Sequence, residues 1–212
     1  MPTKGERTKQ HILQCAEKNF ALKGYYETQV SDISEMAHVA KGTVYQYFAN
    51  KENLFVSLIE EYAVDWEKEV KLDLADFLGT GSARDYASAY LRHRISKTIN
   101  FFGKNPDRAM IILRMSPGVN EVIEHVIRIF EDKVMSAIID DIKTGQQFGH
   151  ISRDLNTELA GNAILGGVLR VSFFYFILKK ESYSIHDKES FTNEIVKLVE
   201  NTLNMFKPES GQ

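Results

Sequence analysis

Apolar residues recur three and four apart through most of this 212-residue chain, and nowhere alternate with period two for long enough to build a sheet. The spacing therefore predicts an all-α protein. A first helix is expected over about 6–23, burying Ile12, Ala16 and Phe20 at four-residue intervals, with Gly24 as the residue past its end. Val30, Ile33, Ala37 and Val39 then mark a short helix, His38 to Ala40 a turn, and Val44 with Phe48 a second short helix. Asn50 caps a fourth helix whose stripe is Leu54, Phe55, Leu58, Ile59 and Tyr62. Further helices are expected at about 83–102, 106–115, 119–147, 157–180 and 188–206. Their breaks are the Gly-Thr-Gly-Ser stretch at 79–82, Asn105-Pro106, Pro117-Gly118, and the segment from Gly145 to Gly149 followed by Asn156.

The two short helices carry the most specific chemistry. Burying Val44 and Phe48 leaves Lys41, Gly42, Thr43, Tyr45, Gln46 and Tyr47 on the other side, a set of donors and aromatics that gains little from water. A helix-turn-helix puts such a face in the major groove of DNA. Gln46 can pair bidentately with adenine, Thr43 can meet a thymine methyl, and Lys41, Tyr45 and Tyr47 can bond phosphate. Gly42 lets the helix start approach the sugar-phosphate backbone. The competing view, a plain helical hairpin with a solvated polar face, does not account for two tyrosines flanking Gln46.

At AKGTVYQYFANKENLF the chain resembles the DNA-binding region of the TetR family of bacterial transcriptional regulators. The KGT start, the Y-x-YF ending, the following K-E-N-L and an amphipathic first helix ending at Lys23-Gly24-Tyr25 carry the resemblance, which covers residues 7 to about 62. Beyond that only size and helical layout agree. The resemblance implies a homodimer on a double-stranded, palindromic DNA operator, with no enzymatic activity and no cofactor. It also implies an N-terminal DNA-binding domain, 1–52, and a helical ligand-binding and dimerisation domain, 53–212. By resemblance Thr28 contacts phosphate or simply caps the helix before the turn, and Lys51 contacts phosphate or is simply solvated. Two positions depart from the family pattern. His38 stands where the turn normally has Gly, yet His is among the non-glycine residues that best tolerate positive φ. Ala40 stands where a Ser normally caps the second helix, a loss typically worth about 0.5–2 kcal/mol.

Composition narrows the picture without deciding it. The 43% hydrophobic and 11% aromatic content suits a soluble globular chain with a sizeable core. No apolar leader segment opens the sequence, and the apolar run 163–178, interrupted by Arg170 and two glycines, is too short to span a bilayer, so cytoplasmic placement is expected. The single cysteine, Cys15, excludes a disulfide framework. Net charge is −3, with +1 over residues 1–52 and −4 over the rest, so the motif rather than the charge points to DNA, and non-specific binding should be weak and easily screened. A di-iron bundle would need two Glu-x-x-His pairs; Glu35-x-x-His38 is the one present, and no metal is expected.

In the second half Phe101, Phe102, Met110, Leu113, Met115, Phe173, Phe174 and Phe176 could line an apolar cavity. Arg92, Arg94, Arg114, His125 or Arg170 would supply charge near it. Each apolar residue taken singly is more readily a core residue. Taken together, and with the ligand pocket that the resemblance implies, they suggest a small-molecule effector that is apolar or amphipathic, such as a fatty-acyl compound. Gly161, Gly166 and Gly167 inside a helical pattern, each costing up to about 1 kcal/mol relative to Ala, suggest close helix approach. With Ile195, Leu198, Val199, Thr202 and Phe206 they predict a dimer interface through the last two helices. The alternatives are a helical small-molecule binder without DNA function and a pure protein-interaction bundle.

Overall fold

The computed structural model describes residues 2–71, 83–114, 121–175 and 185–205, and these form helices with no strand among them. In chain order they are α1 (Lys4–Lys23), α2 (Val30–Met36), α3 (Lys41–Tyr47), α4 (Lys51–Val70), α5 (Ala83–Lys104), α6 (Pro106–Arg114), α7 (Glu121–Gln147), α8 (Thr157–Phe173) and α9 (Ile185–Thr202). The all-α expectation holds, and most boundaries fall within a few residues of those the periodicity predicts. The breaks at 79–82 and 117–118, together with Met115, Phe176 and Phe206, lie outside the described residues.

Local chemistry explains where helices start and stop. Thr3 and Glu6 form a reciprocal capping box, so α1 begins two residues earlier than the apolar spacing suggests. Hydrogen bonding to Thr3 holds the Glu6 carboxyl below the usual carboxylate range. Gly24 ends α1 with φ of 83°, and its N–H donates to the Phe20 carbonyl at 2.9 Å. Asn50 Oδ1 accepts from the N–H of Asn53 at 2.7 Å, so the predicted cap of α4 is in place, and Asn156 Oδ1 caps α8 by accepting from the N–H of Leu159 at 2.9 Å.

Contacts group the chain into two compact units, Met1–Val64 with Asn105–Phe130, and Asp65–Lys104 with Glu131–Gln212. The grouping differs from a single cut after residue 52. The dividing line falls inside α4, and α6 joins the N-terminal helices, where its main packing partner is α1. In the first unit α1 buries Ile12, Ala16 and Phe20, and α4 buries Leu54, Phe55, Leu58, Ile59 and Tyr62, all as the stripes predict. In the second unit Ile95 and Ile99 of α5 share a core with Ile142, Ala160, Phe191, Ile195, Val196, Val199 and Leu203.

That core revises the α9 assignment. Ile195 and Val199 face their own protomer, while Leu198, 60% exposed, and Thr202 remain on the open side. The three α8 glycines also separate. A Cβ on Gly161 would lie 3.0 Å from Met135 Sδ, so that glycine serves α7–α8 packing, whereas Gly166 and Gly167 have open space where a Cβ would be.

Candidate nucleic-acid interface

Helix α3 is built by partition of one short amphipathic segment. On α3 Val44 is buried, and Phe48 is buried just past its end. Lys41, Gly42, Tyr45 and Gln46 are exposed, and Thr43 and Tyr47 flank them half-buried. The exposed four share one arc, because positions three and four apart lie on one helix face. Gln46 has no hydrogen-bond partner among the described residues, so both ends of its amide are available to a base edge. Tyr47 sits by the start of α1, its hydroxyl 3.6 Å from where a Cβ on Gly5 would be.

The turn before α3 has the expected geometry. His38 adopts φ of 53°, and the N–H of Val39 donates to the Ser34 carbonyl at 3.0 Å. Ala40 occupies the N-cap position of α3 and makes no side-chain cap bond, so the missing hydroxyl is not replaced by a neighbour. At the start of α2, Lys23 Nζ lies 2.8 Å from Asp32 Oδ2, and the same oxygen accepts from the N–H of Gln29 at 3.2 Å. These bonds, the one from Lys23 first, hold the Asp32 carboxyl below its usual range.

Two residues predicted to meet phosphate are turned inward. Thr28 is 0% exposed, and its hydroxyl donates to the Gly24 carbonyl at 2.7 Å with the Asn19 carbonyl 3.2 Å away. The N-cap position of α2 is held by Gln29, so Thr28 stands just before the cap. Lys51 directs its ammonium onto the carbonyls of Tyr25, Thr28 and Tyr26 at 2.8, 3.0 and 3.3 Å. Burial holds it below the usual lysine range. A residue absent from the sequence-based set lies close to the end of α3: Lys9 of α1 is exposed, with Nζ 5.7 Å from the Phe48 ring centroid. Its position one helix away hid it from any local motif.

The residues expected to bind an effector are drawn from both units. Met110, Leu113, Arg114 and His125 belong to the first unit, and Phe101, Arg170, Phe173 and Phe174 to the second. Met110 and Leu113 are half-buried, His125 is exposed, and the Arg114 side chain lies outside what the structure describes. Phe101 is buried and packs edge-on to Phe102 at 5.6 Å. Arg170 is exposed and stacks 5.6 Å from the half-buried Phe173, and Phe174 is exposed. Arg94 is already occupied: Nε meets Asp141 Oδ2 at 3.0 Å, and the Tyr90 hydroxyl donates to Asp141 Oδ1 at 2.6 Å. Burial nevertheless raises the Asp141 carboxyl above its usual range. Arg92 bonds Asn193.

The sequence profile of the bacterial regulatory proteins of the tetR family matches residues 12–58. The fatty acid metabolism regulator protein of Bacillus subtilis (strain 168) is 28% identical over 166 residues, covering 74% of this chain and 77% of that protein. YhgD, an HTH-type transcriptional regulator of the same organism, is 30% identical over 141 residues, 65% of this chain and 70% of its own. Among solved structures, the transcriptional regulator FadR from Bacillus subtilis in complex with stearoyl-CoA superposes with a TM-score of 0.74 at 23% identity, covering 90% of this chain and 96% of that one.

Proposed function

Because the chain belongs to the tetR family of bacterial regulatory proteins and is a DNA-binding transcriptional regulator, we propose that it is a repressor. It binds as a homodimer to a palindromic operator and is released by an amphipathic acyl ligand. The observation that carries the DNA half of this reading is the exposed arc of Lys41, Gly42, Tyr45 and Gln46, backed by buried Val44 and Phe48. Gln46 and Thr43 read base edges, and Lys41, Tyr45 and Tyr47 hold phosphates. A twofold dimer requires half-sites about one helical turn apart, roughly 34–36 Å, or a little more. Support for pairing through α8 and α9 comes from exposed Leu159, Phe174 and Leu198 and from the open space at Gly166 and Gly167.

The test begins with duplexes selected from randomised DNA by the purified protein. Gln46→Ala should lose about 1–3 kcal/mol on the selected duplex and less on a scrambled one. Equal losses on both would remove Gln46 as a reader of sequence.

Support for an acyl ligand comes from the aromatic side chains of the second unit and from the stearoyl-CoA held by the solved relative. Linkage requires that the effector weaken DNA binding by the same factor by which DNA weakens effector binding. Long-chain acyl-CoA should therefore raise the melting temperature of the free protein and lower its operator affinity by that shared factor. Neither change across chain lengths would eliminate this effector class.

A further inference from the structure

Lys51 opens α4, yet its ammonium reaches back 23 to 26 residues to the connection between α1 and α2. An ammonium has three donors and no acceptor. All three land on backbone oxygens, those of Tyr25, Tyr26 and Thr28 at 2.8, 3.3 and 3.0 Å. The same nitrogen lies 4.4 Å from the Tyr25 ring centroid, and that ring packs 4.9 Å from Phe55 and 5.8 Å from Phe20. Residues 25–28 belong to no helix, so their carbonyls have no helical ladder to satisfy them. A phosphate oxygen could reach Lys51 only by displacing one of these carbonyls.

The connection so held is what delivers α2. Thr28 is tied to Gly24 and Asn19 from within, the Asp32 carboxylate grips the Gln29 N–H, and α2 then packs against α3. We propose that Lys51 is a positioning residue, fixing the path between α1 and α2 and through it the orientation of α3, and that it contributes no phosphate contact. The proposal rests on α3 being the helix that reads DNA.

Lys51→Met keeps the aliphatic stem and removes the donors. Lys51→Arg keeps a phosphate-binding charge but replaces a tetrahedral set of three donors with a planar fork. Each variant is titrated with the duplex selected by the wild-type protein and with a scrambled duplex, at several salt concentrations. Amide hydrogen exchange is followed in the free protein. A positioning role predicts about tenfold or greater loss on the selected duplex in both variants and a smaller loss on the scrambled one. The slope of log affinity against log salt stays unchanged, and exchange at residues 25–32 becomes faster. Retained affinity in Lys51→Arg, with the salt slope of Lys51→Met reduced by about one and exchange unaltered, would mean a phosphate contact and overturn the proposal. Faster exchange with an unchanged ratio of selected to scrambled affinity would reduce Lys51 to a stabilising tie, which also overturns it. If the wild-type protein selected no duplex, the reading of α3 itself would fall, while the exchange result would still report on the tie.

Discussion

Replacing Phe55 by alanine is expected to cost the N-terminal unit about 3–5 kcal/mol, the range for truncating a buried aromatic. Phe55 is 1% exposed on the first turns of α4, and its ring meets Phe20 of α1 edge-on at 4.9 Å and Tyr25 at 4.9 Å. It therefore joins α1, the connection after it and α4 in the unit that contains α3. The lost contacts include the transfer free energy of the ring, the residual cavity, and aromatic pairings worth about 0.5–1.5 kcal/mol each. Hydrogen-exchange protection of α1 and α4 should fall by about two to three and a half orders of magnitude, since 1.4 kcal/mol is a factor of ten. Phe55→Leu should recover most of it. A loss of less than fivefold in Phe55→Ala would mean that the cluster is not what holds α1 to α4.

The residues of that cluster were legible because each sits on a stripe with a fixed local period. Ile12, Ala16 and Phe20 on α1, and Leu54, Phe55, Leu58, Ile59 and Tyr62 on α4, needed only the spacing of a helix. His38 at φ of 53° was equally readable, because the position in the turn demands positive φ and histidine tolerates it. What escaped the sequence depends on partners that no helical period marks. Nothing local to Thr28 or Lys51 indicates that one hydroxyl and one ammonium will be spent on carbonyls of a connection upstream. On α9, Ile195, Leu198, Val199 and Thr202 share a broad arc, and periodicity does not tell which half the protomer keeps for itself. The capping box at Thr3-x-x-Glu6 had a sequence signature, and the apolar spacing alone placed the helix start too late.

The same distinction between local pattern and distant partner governs Arg108, whose replacement by methionine is expected to cost the N-terminal unit about 3–5 kcal/mol at neutral pH. Its guanidinium Nε lies 3.4 Å from Glu17 Oε1 of α1, both side chains are largely buried, and its charge sits 4.5 Å from the Tyr62 ring centroid of α4. The buried Tyr62 hydroxyl lies within electrostatic reach of Glu17 without a hydrogen bond of good geometry. Burial lifts the Glu17 carboxyl above its usual range, outweighing the opposing attraction of Arg108. A carboxyl whose folded value is raised contributes its stability below the unfolded value and loses that contribution as pH rises through the folded one. Removing Arg108 withdraws the attraction and moves the folded value further up. The cost of Arg108→Met should therefore be greatest at pH 7 and shrink toward pH 4, where Glu17 takes up its proton. Because a buried ion pair often costs more in desolvation than its attraction returns, the double variant Glu17→Leu with Arg108→Met should recover most of the loss. Denaturant unfolding of the wild type, both single variants and the double variant, each at pH 4 and 7, measures this. An Arg108→Met penalty that is independent of pH, or that adds to that of Glu17→Leu, would mean that α6 is held to α1 by packing of the arginine stem and not by its charge.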